Sequence, residues 1–180
     1  GLVGSEMCIR DSIKYEIDWI SKVLESKKPF LGICLGAQML AKNLGGTVQK
    51  SHDLTLEIGF FDINPTGDGH KMFQSQKKFF QWHREGFTVP KSCNILAKGD
   101  LFREQAFRYK NALAIQFHPE VNLKMHLRWL YYAGYMLKEK GAQNRREQLT
   151  HRLKHGKKIN LWLDSFLDNY LLKDINSCLL

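Results

Sequence analysis

The sequence contains no apolar run long enough to span a bilayer, and no secretory signal is visible in it. It has no internal repeat and no low-complexity segment. Its cysteines, histidines and carboxylates lack the spacing of a zinc site, so no metal is indicated. It also lacks a glycine-rich loop of the kind that cradles phosphates, so we expect neither an ATP site nor a cofactor in this chain.

Cysteine is scarce. Only four are present, and two of them, Cys8 and Cys178, lie in the terminal segments. The remaining pair, Cys34 and Cys93, favours a reducing cytoplasm, because we assign Cys34 below as a free thiol and interpret Cys93 as a strand residue. The chain has 180 residues and is 43% hydrophobic, which is enough for one domain with a core that needs no disulfide or metal.

Both ends of the chain are interpreted as non-native. Residues 1–12 contain Met7 to Ser12, which look like the in-frame translation of a transposase recognition end used to prepare sequencing libraries. Residues 177–180 are interpreted as the reverse-strand counterpart of that scar. On this interpretation the chain is an internal fragment of a longer gene product.

The sequence Gly32-Ile33-Cys34-Leu35-Gly36 is typical of a nucleophile elbow that carries a thiol. In such a turn from strand to helix the backbone approaches itself closely, so we expect that only glycine fits at Gly32 and Gly36. Cys34 would project at the start of the following helix, where the helix dipole and free N–H groups favour a thiolate. The alternative is a small buried cysteine between packing glycines.

A base and its orienting group are predicted at His118 and Glu120. Residues two apart in an extended segment point to the same side, and Pro119 stiffens the chain between them. The apolar run 112–115 precedes them and predicts a buried strand, which places the pair at its carboxyl end. Together with Cys34, this pattern indicates a nucleophile, a base and a third group that fixes the tautomer of the base.

Alternating helical and strand-like patterns predict an α/β layer fold. Helices are expected over 13–26 and 37–44, the second ended by Gly45 and Gly46. Short strands are expected over 30–33, 47–50, 57–63, 78–82, 94–97, 106–109 and 112–117, with a turn-rich connection over 65–69.

After Glu120 the pattern becomes helical. Asn122 is a plausible N-cap for an amphipathic helix, and two further helices are expected over 145–153 and 159–172. The apolar residues of the first helix are Met125, Leu127, Leu130, Ala133 and Leu137.

Five segments, in this order along the chain, resemble the class I glutamine amidotransferase family, which uses a Cys-His-Glu triad. They resemble most the stand-alone domains that are similar to the glutaminase half of GMP synthase. The segments are 28–38, 57–60, 80–83, 105–109 and 116–121.

The resemblance implies a three-layer, flavodoxin-like α/β domain, with a partial core over 13–137 and a helical extension of the same domain over 138–176. Family members begin with a strand, a helix and a strand, and the loop after that second strand donates one N–H to the oxyanion hole. Residues 1–12 cannot supply these elements, so we expect a domain that is incomplete at its N-terminus and an impaired enzyme.

The resemblance also implies roles for residues around the triad. The Leu35 backbone N–H would stabilise the oxyanion, and Gln38 would either hold glutamine or serve as a buried amide. Gln81, Trp82 and His83 match the segment that lines the glutamine pocket. His83 is also an alternative base, but we prefer His118, because the carboxylate of Glu120 lies two residues away from it.

The implied reaction is hydrolysis of glutamine through a Cys34 thioester, which gives glutamate and ammonia for a synthetase subunit or fused domain. A γ-glutamyl peptidase with the same triad and a non-catalytic regulatory or binding member are the alternatives. No membrane partner is expected.

The net charge of +9 is concentrated in residues 138–158, which carry +6. We interpret this segment as a solvated helical face rather than a nucleic-acid site, because aromatic and glycine residues are not interleaved with the charges. A patch for a phosphate-bearing acceptor or an acidic partner is the other interpretation.

Overall fold

The computed structural model describes residues 2–74 and 76–171. The α-helices of this part of the chain are α1 Leu2–Glu25, α2 Leu35–Asn43, α3 Gly69–Phe73, α4 Leu123–Tyr132 and α5 Arg145–Phe166. A 3₁₀ helix, Gly134–Lys138, follows α4, and a π-helical segment, Leu167–Leu171, follows α5. The strands are β1 Phe30–Ile33, β2 Val48–Lys50, β3 Glu57–Asp62, β4 Asn64–Pro65, β5 Lys78–His83, β6 Glu85–Phe87, β7 Asn94–Lys98, β8 Glu104–Tyr109 and β9 Ala112–Ile115.

The central sheet has five strands in the order β1-β9-β8-β7-β4. β1 and β9 are parallel, whereas the other neighbours are antiparallel. All four residues of β9 are buried, as expected for a strand covered on both faces. Two antiparallel pairs, β2 with β6 and β3 with β5, complete the strand pairing of the described residues.

The sheet is the middle layer of three. Ala112 and Ala114 of β9 face a core cluster that includes Ile20 of α1 and Leu40 of α2. Leu113 and Ile115, which alternate with these alanines, face the opposite cluster. That cluster contains these residues of α5: Ile159, Trp162 and Phe166. The rings of Phe73, Phe79, Phe117 and Trp162 pack together in this second cluster. The expected layered α/β fold is therefore confirmed, and α5 is part of its core.

Three of the predicted boundaries were wrong. The first helix begins at Leu2 rather than at residue 13, since no proline interrupts residues 2–12. The two helices expected after residue 145 form one helix, because its buried stripe passes through Gln148, Arg152 and Gly156 without a break. The predicted turn over 65–69 contains the end of β4, which pairs with β7 at the sheet edge. The predicted scar over 177–180 lies outside the described residues.

The buried face of α4 differs from the predicted one. Asn122 is the N-cap, as expected, and its side chain accepts a hydrogen bond from the Met125 N–H at 2.9 Å. Met125 and Leu127 are exposed, whereas His126 and Leu130 are fully buried. The helix therefore presents a histidine to the core, a position that a pattern of apolar residues alone does not predict.

Arg152 is the exception within the basic segment. The other lysines and arginines over 138–158 are exposed, in line with the expected solvated face, but Arg152 is 4% exposed. In the part of the chain that the structure describes, no helix is long and apolar enough to cross a membrane.

Candidate active site

Cys34 occupies the turn between β1 and α2. Its N–H donates to the Ile115 carbonyl oxygen at 2.9 Å, which extends the pairing of β1 with β9 by one residue. Its backbone has φ 49° and ψ −101°, a conformation that is unusual for a residue with a side chain. Strain of this kind clusters at functional sites, and here it holds a half-buried thiol at the start of a helix.

The two glycines of the elbow differ in what they permit. A Cβ atom on Gly32 would lie 2.7 Å from the carbonyl carbon and oxygen of Gly36, so Gly32 has to be glycine. A Cβ atom on Gly36 would meet no heavy atom of the described residues within 4 Å. The expectation that both positions require glycine was therefore right for Gly32 and wrong for Gly36. The close approach is between the two backbones, and only the Gly32 Cβ would point into the gap.

Gln116 joins the site from the end of β9. The parallel register pairs Ile33 with Ile115, which places Cys34 beside Gln116. The fully buried Gln116 side chain donates from Nε2 to the Cys34 sulfur at 3.5 Å. Gln116 is a contact of the candidate nucleophile that the sequence reasoning missed. Its position two residues before His118, on the same side of an extended segment, is the signal that could have identified it.

His118 and Glu120 form the expected pair. His118 Nδ1 lies 2.6 Å from Glu120 Oε1, and the His118 N–H donates to the Phe80 carbonyl oxygen at 2.8 Å. Burial by itself would lower the pKa of His118. Interactions with Cys34 and Glu120 outweigh burial and raise that pKa to about 9. The imidazole is therefore protonated at neutral pH, between a thiol and a carboxylate.

Gln81, Trp82 and His83 alternate along β5 and do not form one wall. Trp82 is half-buried and packs edge-on against Trp129, at a centroid distance of 5.6 Å. The Trp129 ring in turn meets the His118 ring edge-on at 5.1 Å. Gln81 and His83 point the other way and are buried, 0% and 6% exposed. Only Trp82 thus lies on the side of the strand that faces the triad histidine.

His83 is paired with a carboxylate that lies far from it in the sequence. Glu57 of β3 is its direct partner in the register, and Glu57 Oε2 lies 2.9 Å from His83 Nε2. His83 Nδ1 lies 2.9 Å from the Glu85 carbonyl oxygen, which can only accept. A nearby carboxylate therefore does not distinguish His118 from His83. The Cys34 thiol does distinguish them, because Cys34 is among the groups that raise the pKa of His118.

A chain of hydrogen bonds connects this buried pair to the elbow. Gln38 of α2 donates from Nε2 to the Glu85 carbonyl oxygen at 2.9 Å and to Gln116 Oε1 at 3.3 Å. Glu85 takes part through its backbone, and the neighbouring Arg84 is exposed. Gln38 is 7% exposed, so the structure places it as a buried amide. It fixes the position of Gln116, which contacts Cys34.

Gln81 and Gln105 complete the polar network on the far side of β5. Gln81 Nε2 donates to Gln105 Oε1 at 2.7 Å, and Gln105 Nε2 donates to Glu57 Oε2 at 2.8 Å. The Gln81 amide is therefore engaged with protein groups. Gln81 and His83 support the site from behind and do not face an open pocket.

Leu35 and Cys93 each lie at or next to the start of an element. Leu35 is the first residue of α2 and is half exposed, so its backbone N–H lies at a helix start beside Cys34. Cys93 precedes β7, so the prediction that it is a strand residue was wrong, and burial raises the pKa of its thiol. Among the described residues, no three histidine, cysteine or acidic side chains are grouped as metal ligands would be.

The family model of class I glutamine amidotransferases matches residues 6–133. The chain belongs to this family. It is 33% identical over 126 residues to the glutamine-hydrolyzing GMP synthase of Cytophaga hutchinsonii, covering 67% of this chain and 24% of that protein. It is also 33% identical over 124 residues to a glutamine-hydrolyzing GMP synthase subunit of Picrophilus torridus, covering 64% of this chain and 65% of that relative. The chain thus spans less than two thirds of the length of either relative.

Two solved structures of glutamine amidotransferases support the same fold. A glutamine amidotransferase from Thermotoga maritima matches with a TM-score of 0.77 at 32% identity, over 88% of this chain and 69% of that one. A glutamine amido transferase from Methylobacillus Flagellatus matches with the same TM-score at 22% identity, over 85% of this chain and 66% of that one. The second likeness bears on the fold alone.

Proposed function

We propose that this class I glutamine amidotransferase hydrolyses the side-chain amide of glutamine through a covalent thioester on Cys34. The observation that carries the proposal is the arrangement of Gln116 and His118 at one sulfur, with Glu120 behind the imidazole. Gln116 donates to the sulfur, His118 is held protonated beside it, and Glu120 fixes the imidazole from behind. A nucleophile, a base and an orienting carboxylate are the components that acyl transfer requires.

The first half-reaction forms the thioester. The Cys34 thiolate attacks the amide carbon of glutamine, and the oxygen that gains negative charge is stabilised by the Leu35 backbone N–H. As the carbon–nitrogen bond breaks, His118 gives its Nε2 proton to the leaving nitrogen, which departs as ammonia. Glu120 holds the other ring nitrogen, so the proton is delivered from the correct side of the imidazole.

The second half-reaction releases glutamate. The now neutral His118 takes a proton from water, whose oxygen attacks the thioester carbon. The carbon–sulfur bond breaks, and Cys34 returns to the thiolate beside a protonated His118. We assign Trp82, with Trp129, to the wall of the glutamine pocket, because that ring pair reaches His118. Gln38, Gln81 and His83 are assigned as supports of the site.

We further propose that the ammonia passes to a synthetase. The Picrophilus torridus relative is one subunit of a GMP synthase and is named as glutamine-hydrolyzing. A subunit of that kind implies a second component, which for this chain would be either a separate protein or a fused domain. A nucleophile that must remain a free thiol favours the cytoplasm as the site of the reaction.

Covalent labelling of Cys34 is the experiment that tests this proposal. A diazoketone analogue of glutamine should alkylate Cys34, as read by peptide mass spectrometry, and Cys34→Ala should abolish both this label and the release of glutamate. Cys93→Ala is the matched control and should retain both. Labelling at a site other than Cys34, or glutamate release that survives in Cys34→Ala, would contradict the proposal. Faster turnover of a γ-glutamyl peptide than of glutamine would instead identify a peptidase.

A further inference from the structure

Arg152 on α5 is a buried cation that packs against two adjacent aromatic rings. Its guanidinium carbon lies 4.9 Å from the ring centroids of both Phe60 and Phe80. Its Nε donates to His126 Nδ1 at 3.3 Å. Cation–π contacts of this kind favour the charged guanidinium when water is excluded.

His126 can accept that hydrogen bond because it is neutral. Burial, together with the charge of Arg152, lowers its pKa to about 4, despite a hydrogen bond to Gln148 that acts the other way. His126 Nε2 lies 2.9 Å from Gln148 Oε1, an acceptor, so the ring proton is on Nε2 and the lone pair on Nδ1 faces Arg152. His126 therefore fixes the guanidinium without adding charge.

Arg152 stays charged, and its two terminal nitrogen atoms lack hydrogen-bond partners among the described residues. Burial lowers its pKa to about 10, which is still well above neutrality, and the negative charge of Glu120 acts in the opposite direction. Its Nη1 and Nη2 atoms are buried and have no hydrogen-bond partner among the described residues. A buried charge needs a compensating one, and Glu120 is the acidic group that acts on it.

Glu120 also has a buried polar atom that lacks a hydrogen-bond partner among the described residues. Its Oε1 atom is paired with His118, but its Oε2 atom is buried and has no hydrogen-bond partner in the described part of the chain. Arg152 takes part in none of the ion pairs within 4.0 Å that the described residues form. The two groups are therefore not in direct contact, but they lie in the same part of the fold, because Arg152 packs on Phe80, whose carbonyl oxygen accepts from His118, the partner of Glu120. Their charges act on each other from beyond contact distance.

We propose that Arg152 is a positioning residue, whose buried charge keeps the Glu120 carboxylate directed at His118. Phe80, which contacts Arg152, also contacts the triad, because its carbonyl oxygen accepts a hydrogen bond from the His118 N–H. The inference rests on the proposed role of the triad and extends it to a second layer of charge. The alternative is that Arg152 only fills space beside Phe60 and Phe80.

The test separates charge from packing. Arg152→Met removes the charge and keeps much of the volume, Arg152→Lys keeps the charge, and Arg146→Met makes the same change at an exposed site on α5. The readout is the rate of Cys34 alkylation by iodoacetamide from pH 5 to 10, followed by peptide mass spectrometry with Cys93 as the internal reference. This readout needs no turnover of glutamine.

Without the charge, Glu120 is directed less firmly at His118, and the imidazolium stabilises the sulfur anion that attacks iodoacetamide less well. We expect Arg152→Met to slow Cys34 alkylation at pH 7 about tenfold, a loss of roughly 1.4 kcal/mol. Arg152→Lys should stay within about threefold of the wild type, and Arg146→Met should match it. In a Glu120→Gln background, Arg152→Met should cause no further loss.

Equal effects of Arg152→Met and Arg152→Lys in folded protein would overturn the proposal, and so would a further tenfold loss in the Glu120→Gln background. If Arg152→Met does not fold, Arg152→Gln carries the same expectation, because it also lacks the charge. Failure of the proposed function looks different: glutamine would not be hydrolysed, while the charge dependence of Cys34 alkylation would persist.

Discussion

Glu57 lies directly across the β3–β5 pair from His83, and its Oε2 atom is 2.9 Å from His83 Nε2. Both side chains are almost fully buried. The other ring nitrogen of His83 faces the Glu85 carbonyl oxygen, and Glu57 also accepts a hydrogen bond from Gln105. This pair anchors the hydrogen-bond chain that ends at Cys34, so its integrity decides how firmly the elbow is supported.

Removing one member of this buried pair should be costly. We expect Glu57→Leu to lower the free energy of unfolding by about 3 kcal/mol, because it leaves His83 without its partner. The double variant Glu57→Leu with His83→Leu should lose less than the sum of the two single variants. Urea unfolding of the four proteins measures this difference.

The same strand pair provides the control. Asp62 and Lys78 are also register partners, at the other end of β3 and β5, but Asp62 is 59% exposed. Asp62→Asn should therefore change the free energy of unfolding by less than about 1 kcal/mol. A similar loss in Asp62→Asn and Glu57→Leu would show that burial does not govern these pairs.

The two elbow glycines should respond differently to the same substitution. Gly32→Ala puts a Cβ atom 2.7 Å from the Gly36 backbone, and it should lower the free energy of unfolding by about 3 kcal/mol or prevent folding. Gly36→Ala meets no such contact and should leave stability unchanged or raise it by up to about 1 kcal/mol, since alanine favours helix. Thermal and urea unfolding of both variants test this. Equal destabilisation of the two variants would mean that position 36 has no room for an alanine side chain.

His118 should make stability depend on pH. Its pKa in the folded protein is about 9, above the ordinary 6.5. Below pH 6.5 both the folded and the unfolded chain bind this proton, so the stabilisation is fully present. As the pH rises from 6.5 to 9, the unfolded chain releases the proton first, and the stabilisation is lost.

The free energy of unfolding of the wild type should therefore fall between pH 6.5 and pH 9. Most of this decline should be absent from His118→Asn, which has no titrating group at that position. Urea unfolding at half-unit pH intervals measures the slope. A His118→Asn protein with the slope of the wild type would contradict the assigned protonation of His118.

Local features of the fold were predictable, whereas partners across strands were not. The β1 strand and the Asn122 cap depend on neighbouring residues, and both were predicted correctly. The pairing of Glu57 with His83 depends on the register of two strands, which a single sequence does not contain. Arg152 looked like one more exposed cation, because its environment comes from Phe60 and Phe80, far away in the sequence.

Gln116 should increase the reactivity of Cys34, because it donates a hydrogen bond to the sulfur. Gln116 Nε2 lies 3.5 Å from the Cys34 sulfur, and Gln38 holds the Gln116 side chain by its oxygen. A hydrogen bond to a charged acceptor contributes about 1.5–3 kcal/mol. Gln116→Leu keeps a similar volume but has no donor, so alkylation of Cys34 at pH 7 should slow by at least about tenfold. Gln49→Leu, at an exposed site on β2, should leave the rate unchanged. If Gln116→Leu folds and reacts as fast as the wild type, then Gln116 only packs against Cys34, and the thiolate is stabilised by His118 without its help.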